Sequence, residues 1–222
     1  MKPHGWKKLT AMLLWMAILL SLLPVGTLQV SAYSETDISY PVEGGNIYFD
    51  KATGTITDCD ESVTSADIPD KIDGVAVTSI GDWAFHECDS LTSVTIPNSV
   101  TTIGGLTFRY CDSLTGIWVD AANLYYSSDA SGVLFNKNKT ELIQCPGGYS
   151  GDYTIPDSVT TIGYGAFYAC NSLTNVTIPD SVTTIGYSAF QGTAYYRDEG
   201  NWENDVLYVG KHLIEARYSI SG

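Results

Sequence analysis

The sequence predicts a mainly β solenoid, a coil of short strands and tight turns that repeats about every 23 residues, and three observations predict it. First, "IPDSVTTIGYGAF" at 155–167 returns as "IPDSVTTIGYSAF" at 178–190 with one change, Gly165 to Ser188. A third copy, "IPNSVTTIGGLTF", occupies 96–108, and a looser one with five extra residues, "IPDKIDGVAVTSIGDWAF", occupies 68–85. Second, the apolar positions of each copy are rich in β-branched residues and spaced as short extended pieces. Third, no repeating segment carries a 3.6-residue apolar period long enough for a full helix.

Residues 1–32 hold Lys2, Lys7 and Lys8, then an apolar run, then small residues ending Val30-Ser31-Ala32. That order is the pattern of a secretory signal peptide, with cleavage expected after Ala32. The run is short for a bilayer and contains Pro24, so no membrane span is expected once the signal is removed. Residues 33–60 include "GGNIYFDKATGTITDCD", which reads as strand, Lys-Ala-Thr-Gly turn and strand. The apolar face of a solenoid's first coil needs a cover, so this N-terminal β-hairpin is expected to be a cap.

Residues 61–222 are expected to form the solenoid. In one unit Leu91, Val94 and Ile96 make an alternating strand, and Pro97, which cannot donate to a ladder, ends it. Val100 and Ile103 predict a second short extended piece, Gly104 a flexible corner, and Phe85, Phe108, Phe167 and Phe190 an inward ring from a tight turn or short helical segment. Two β-hairpins are expected to interrupt the rhythm, "GVLFNKNKTELIQC" (132–145) and "DVLYVGKHLIEA" (205–216), each preceded by a tyrosine pair. The chain closes on "YSISG" without a recognisable cap, so truncation at the C-terminal end is expected.

Written out, the unit is L-x-x-V-x-I-P-x-x-V-T-x-I-G-x-x-A-F-x-x-C-x-x, and it resembles the BspA-like, or treponemal-type, leucine-rich repeat family over roughly residues 60–222. The resemblance implies a right-handed leucine-rich repeat solenoid and a role in adhesion and surface display. Asp120, Thr107 and Thr193 depart from the pattern, standing where Pro, Ala and Cys are expected.

The net charge of −14 becomes three units more negative without residues 1–32, which hold three lysines and no acid. Phosphate would be repelled, so a nucleic-acid partner is excluded. The five cysteines cannot all pair. Cys88, Cys111 and Cys170 occupy one repeat position, where parallel side chains do not point at one another as a disulfide requires, and they read as small buried residues. Cys59 and Cys145 fall out of that register.

Catalytic constellations are absent from the pattern. His86 and His212 have no neighbouring triad or zinc-ligand spacing. Asp157 and Asp180 follow the strand-ending Pro, where Asp bonds its own backbone, and Asn98 replaces them in another copy. "DCDE" at 58–61 lacks the ligand spacing of a calcium loop. The chain is therefore expected not to be an enzyme, and no cofactor or metal is expected.

Exposed aromatics are the functional candidates. Tyr164 and Tyr187 follow the Ile-Gly corner in successive coils and are expected about 5 Å apart as a two-ring strip. Tyr125, Tyr126, Tyr195, Tyr196, Trp202 and Trp118 extend the set. The alternative is that tyrosines cover the hairpin bases with their ring bodies. The function expected is that of an exported, secreted or cell-surface binding protein engaging a protein or polysaccharide partner. The rival is a passive spacer or a fragment of a larger surface protein.

Overall fold

The computed structural model describes residues 37–217. The expected signal segment 1–32 and the terminal "YSISG" lie outside the described residues.

Each regular coil follows its sequence. In the strand Ser93–Ile96 the side chains of Val94 and Ile96 are buried, and Pro97 ends it. The Pro97 carbonyl accepts from Val100 N at 3.3 Å, and Pro156 and Pro179 accept likewise from Val159 N and Val182 N at 3.0 and 3.2 Å. The proline carbonyl thus closes the turn, whereas the following Asn98, Asp157 and Asp180 are exposed.

Stacking brings like positions together. Ser65–Asp67, Ser93–Ile96 and Gly116–Val119 make one parallel sheet, and Ser150–Thr154 pairs with Ser172–Thr177 in another. Ser79–Ile80 pairs parallel with Thr102–Ile103, and Thr161–Ile162 with Thr184–Ile185. The repeated Thr-Thr serves these ladders: Thr101 Oγ1 donates to the Thr78 carbonyl and Thr183 Oγ1 to the Thr160 carbonyl, both at 3.3 Å. Inside, Phe85 stacks on Phe108 with ring centroids 5.5 Å apart, and Phe167 on Phe190 at 5.0 Å. Four buried phenylalanines in two stacks remove large apolar rings from water, and such burial is the dominant favourable term in folding. Among the described residues, helix is confined to Ala194–Arg197 and a 3-10 turn, Glu199–Asn201.

The corner glycine has a steric reason. A Cβ on Gly104 would lie 2.4 Å from Asp82 N, and one on Gly186 would lie 2.5 Å from Tyr164 N. Close approach of successive coils, more than the flexibility expected of the corner, selects glycine there. The Phe turn has a different requirement. Trp83, Leu106, Gly165 and Ser188 take φ of 63°, 56°, 61° and 55°, and four residues later Glu87, Tyr110, Ala169 and Gly192 are left-handed too. Two positions per coil thus take positive φ whether or not they are glycine, and the first of them is the corner of the Phe turn. The single difference between the two near-identical copies falls on this position.

A slower plan overlies the coils. Asp37–Val42, Gly45–Asp50 and Thr55–Cys59 form an antiparallel meander whose last strand pairs parallel with Ser79–Ile80. Tyr126–Ser128, Leu134–Asn136 and Glu141–Gln144 do the same against Thr161–Ile162. A third meander comprises Trp202–Glu203, Val206–Val209 and His212–Ala216. All three slip register at the same place, between Tyr48 and Phe49, Leu134 and Phe135, and Leu207 and Tyr208. A bulge at a fixed position re-aims every later side chain in the strand, so its recurrence marks equivalent units.

The central meander is the wall between two cores. Leu134 packs into the first, with residues such as Ile56, Phe85 and Phe108, while Val133 and Phe135 pack into the second, with Phe167 and Phe190. The pleat makes this possible because alternate side chains leave opposite faces. In the third meander Leu213, the counterpart of the buried Leu142, is 56% exposed.

One expectation is corrected. Cys88, expected to be an isolated buried thiol, is joined to Cys59 by a disulfide across 29 positions. The parallel-ladder objection holds between coils, but Cys59 belongs to the meander and reaches the coil from outside that ladder. Cys111 and Cys170 are buried thiols.

Candidate binding surface

The eight aromatic candidates divide by what their polar atoms do. Tyr126 lies half-buried, and its hydroxyl accepts from Ile103 N at 3.0 Å, satisfying an amide at the end of the first short-strand ladder. Burial pushes its phenol above the ordinary range. Tyr195 donates to the Tyr208 carbonyl at 2.8 Å. Tyr196 meets Trp202 edge to face at 5.2 Å; the Trp202 indole donates to the Tyr196 carbonyl, and the Arg217 guanidinium lies 3.6 Å above the indole. These four side chains tie the meanders to the coils. Tyr125 is exposed, and Trp118, also exposed, folds back over Gly116, where any Cβ would lie 2.6 Å from its ring.

Tyr164 and Tyr187 differ from the rest. They are 56% and 78% exposed, with rings near parallel at 18° and centroids 6.3 Å apart. The ring-centroid spacing exceeds the expected rung of about 5 Å. Gly165 N donates to the Tyr187 carbonyl at 3.2 Å, so the backbone beneath is laddered and the two rings are set on a fixed base. Beside Tyr187 lies a groove of about 260 Å³ lined by Ile185, Gly186, Ser188, Leu213, Ile214 and Glu215. The Tyr187 ring at this partly apolar groove, with Tyr164 stacked beside it, offers aromatic contact area to a partner.

A second aromatic run was not legible in the sequence. Trp83 contacts His86 at 4.6 Å, His86 contacts Tyr110 at 5.5 Å, and Tyr110 contacts Tyr168 at 5.7 Å, each edge to face. The Arg109 guanidinium sits 4.8 Å from the Tyr110 ring and 4.0 Å from the Tyr168 ring. The two hydroxyls are 3.0 Å apart. That hydrogen bond and the adjacent Arg109 hold the Tyr168 phenol below its usual range, while the same bond raises Tyr110. The signal was present, since His86, Arg109 and Tyr168 each follow the repeat's Phe directly. Residue type varies there, and only the stacking of the blocks sets Arg109 over Tyr168 and His86 against Tyr110.

Polar chemistry elsewhere is structural. Asp60 accepts from Asn46 N and Nδ2 and from the Tyr48 hydroxyl. Tyr153 donates to Asp129 at 2.6 Å, and burial followed by that bond pushes its phenol far up. Among the described residues no three His, Cys, Asp or Glu side chains gather as a metal site, and no helix is long and apolar enough to cross a membrane.

A model of the BspA type leucine rich repeat region matches residues 57–146 and 150–215 in six copies. A leucine-rich repeat protein from Eubacterium ventriosum is 31% identical over 60% of this chain and 38% of its own, with a TM-score of 0.52. A leucine rich cell surface protein from Faecalibacterium prausnitzii is 30% identical over 59% of this chain and 39% of its own, at 0.39. The pneumococcal vaccine antigen PcpA is 24% identical over 59% and 37%, at 0.49. The chain thus spans less than two fifths of each of these proteins. No curated protein matches it.

Proposed function

Because the chain belongs to the BspA type leucine-rich repeat family, we propose that it is an exported, non-catalytic binding or adhesion protein that engages a protein or glycan with its solenoid surface. The observation that carries this reading is the Tyr164–Tyr187 pair, two near-parallel exposed rings on a laddered base beside a groove. Such rings stack on the flat faces of sugars or on the aliphatic parts of a protein, and buried aromatics dominate the binding energy of small contact areas. The charge of −14, three units more negative without residues 1–32, favours a partner with a basic surface. Export rests on the charged, apolar and small-residue order of residues 1–32.

The test is to immobilise the full chain and probe it with surface polysaccharides and mixed surface proteins. Changing Tyr164 and Tyr187 together to Ala should lower affinity for a captured ligand by at least about tenfold, the loss of roughly 1.4 kcal/mol, while leaving the unfolding midpoint unchanged. Undiminished capture by the double variant, or no ligand at all, overturns this reading in favour of a spacer.

A further inference from the structure

The stretches Ile47–Cys59 and Val133–Cys145 align position for position, thirteen residues without a gap. Tyr48 pairs with Asp58 and Phe49 with Ile56, and at the equivalent positions Leu134 pairs with Gln144 and Phe135 with Leu142, with the same bulge between. Cys145 is therefore the counterpart of Cys59, in register on the slower repeat although out of register with the 23-residue unit.

The partner positions correspond too. Cys88 follows Phe85 in the first coil after one meander, and Cys170 follows Phe167 in the first coil after the next. Their amides close the same turn, Cys88 N to the Phe85 carbonyl at 3.3 Å and Cys170 N to the Phe167 carbonyl at 3.1 Å. Cys59 and Cys88 are bonded. In the second block the Cys170 sulfur lies 3.7 Å from the Cys145 carbonyl oxygen and 3.5 Å from that of Pro146. Cys145 N in turn donates to the Ala166 carbonyl at 2.7 Å, which pins the cysteine to the coil that carries Cys170. Both thiols are completely buried, and burial together with the neighbouring Cys170 thiol pushes Cys145 well above the ordinary thiol range.

We propose that Cys145 and Cys170 form a second disulfide, so that each of the first two meanders is stapled to the first coil of its own block. Cys111 then remains the odd thiol. It lies in a second coil, donates to the Phe85 carbonyl at 2.9 Å, and has Thr193 as its counterpart in the next block. The Thr193 hydroxyl donates to the Phe190 carbonyl at 2.9 Å, so a second-coil residue of either type needs only a hydrogen bond.

The bond forms by exchange. A thiolate from one cysteine attacks an external disulfide such as oxidised glutathione, releasing one glutathione thiolate and leaving a mixed disulfide. The second cysteine, as thiolate, displaces the other glutathione and closes the Cys145–Cys170 bond. Two protein thiols are oxidised, one glutathione disulfide is reduced to two thiols, and the proton count is unchanged. Because a buried, protonated thiol is inert, exchange takes place before the second core closes.

To test this, the full chain is reduced and denatured, refolded in a glutathione redox buffer, then denatured without reductant and alkylated. Mass spectrometry is expected to find one alkyl group, on Cys111, and a non-reducing digest should yield a Cys145–Cys170 linked peptide beside the Cys59–Cys88 one. Cys145→Ser should raise the count to two, and Cys111→Ser should lower it to none. Three alkyl groups with Cys59–Cys88 intact, or any linkage joining Cys111 to Cys145 or Cys170, overturns the assignment.

Discussion

The block that begins with the Asp37–Cys59 meander and the one that begins at Tyr126 have one skeleton and two surfaces. Each meander bulges at the same register position, hands its last strand to a parallel pair of two-residue strands, and covers a stacked pair of phenylalanines. The corner residues differ. The first block puts Asp82 and Gly105 where the second puts Tyr164 and Tyr187, and Asp82 Oδ1 is used to accept from Gly105 N at 2.6 Å. The scaffold leaves those positions unconstrained, and only the second block presents an aromatic pair there. Packing thus dictates the repeat, while outward corners are open to specialisation.

If the blocks are equivalent beneath their surfaces, matched substitutions should cost the same in each. Phe85→Ala and Phe167→Ala should each destabilise by about 3–5 kcal/mol, because each removes a fully buried stacked ring and leaves a cavity. Urea unfolding measures it, and a negligible effect of either would break the equivalence. Gly104→Ala and Gly186→Ala come next, at about 1–3 kcal/mol, since each added methyl must push apart two coils whose backbones already touch.

A sharper test concerns the joint between blocks. Tyr126→Phe should cost about 1–3 kcal/mol by leaving the Ile103 amide without its acceptor, whereas Tyr125→Phe, at an exposed ring, should leave the midpoint where it is. Equal effects would mean that Tyr126 is no more a joint than its neighbour. The smallest effect is expected at the single difference between the twin copies. Ser188→Gly should stabilise by up to about 1 kcal/mol, because glycine adopts φ near 55° without the side-chain penalty, and Gly165→Ser should cost a similar amount. Thermal unfolding of the pair resolves the sign.

The 23-residue period, the buried Val, Ile and Phe positions, and the strand-ending prolines are all visible in "IPNSVTTIGGLTF" set beside its relatives. They are visible because each coil meets only its neighbours, so that a residue's environment repeats at the same interval as the chain. By contrast, the partnership of Cys59 with Cys88, the job of the Tyr126 hydroxyl on the Ile103 amide, and the meeting of Arg109 with Tyr168 depend on where a meander or the next block docks. Those contacts join residues of different repeats, or of none. No local pattern encodes them, since a side chain's partner across a docked surface is set by the geometry of both sides at once. The sequence alone therefore determined the coil and its rungs, and the tertiary structure decided which polar and aromatic side chains hold blocks together and left Tyr164 and Tyr187 facing out.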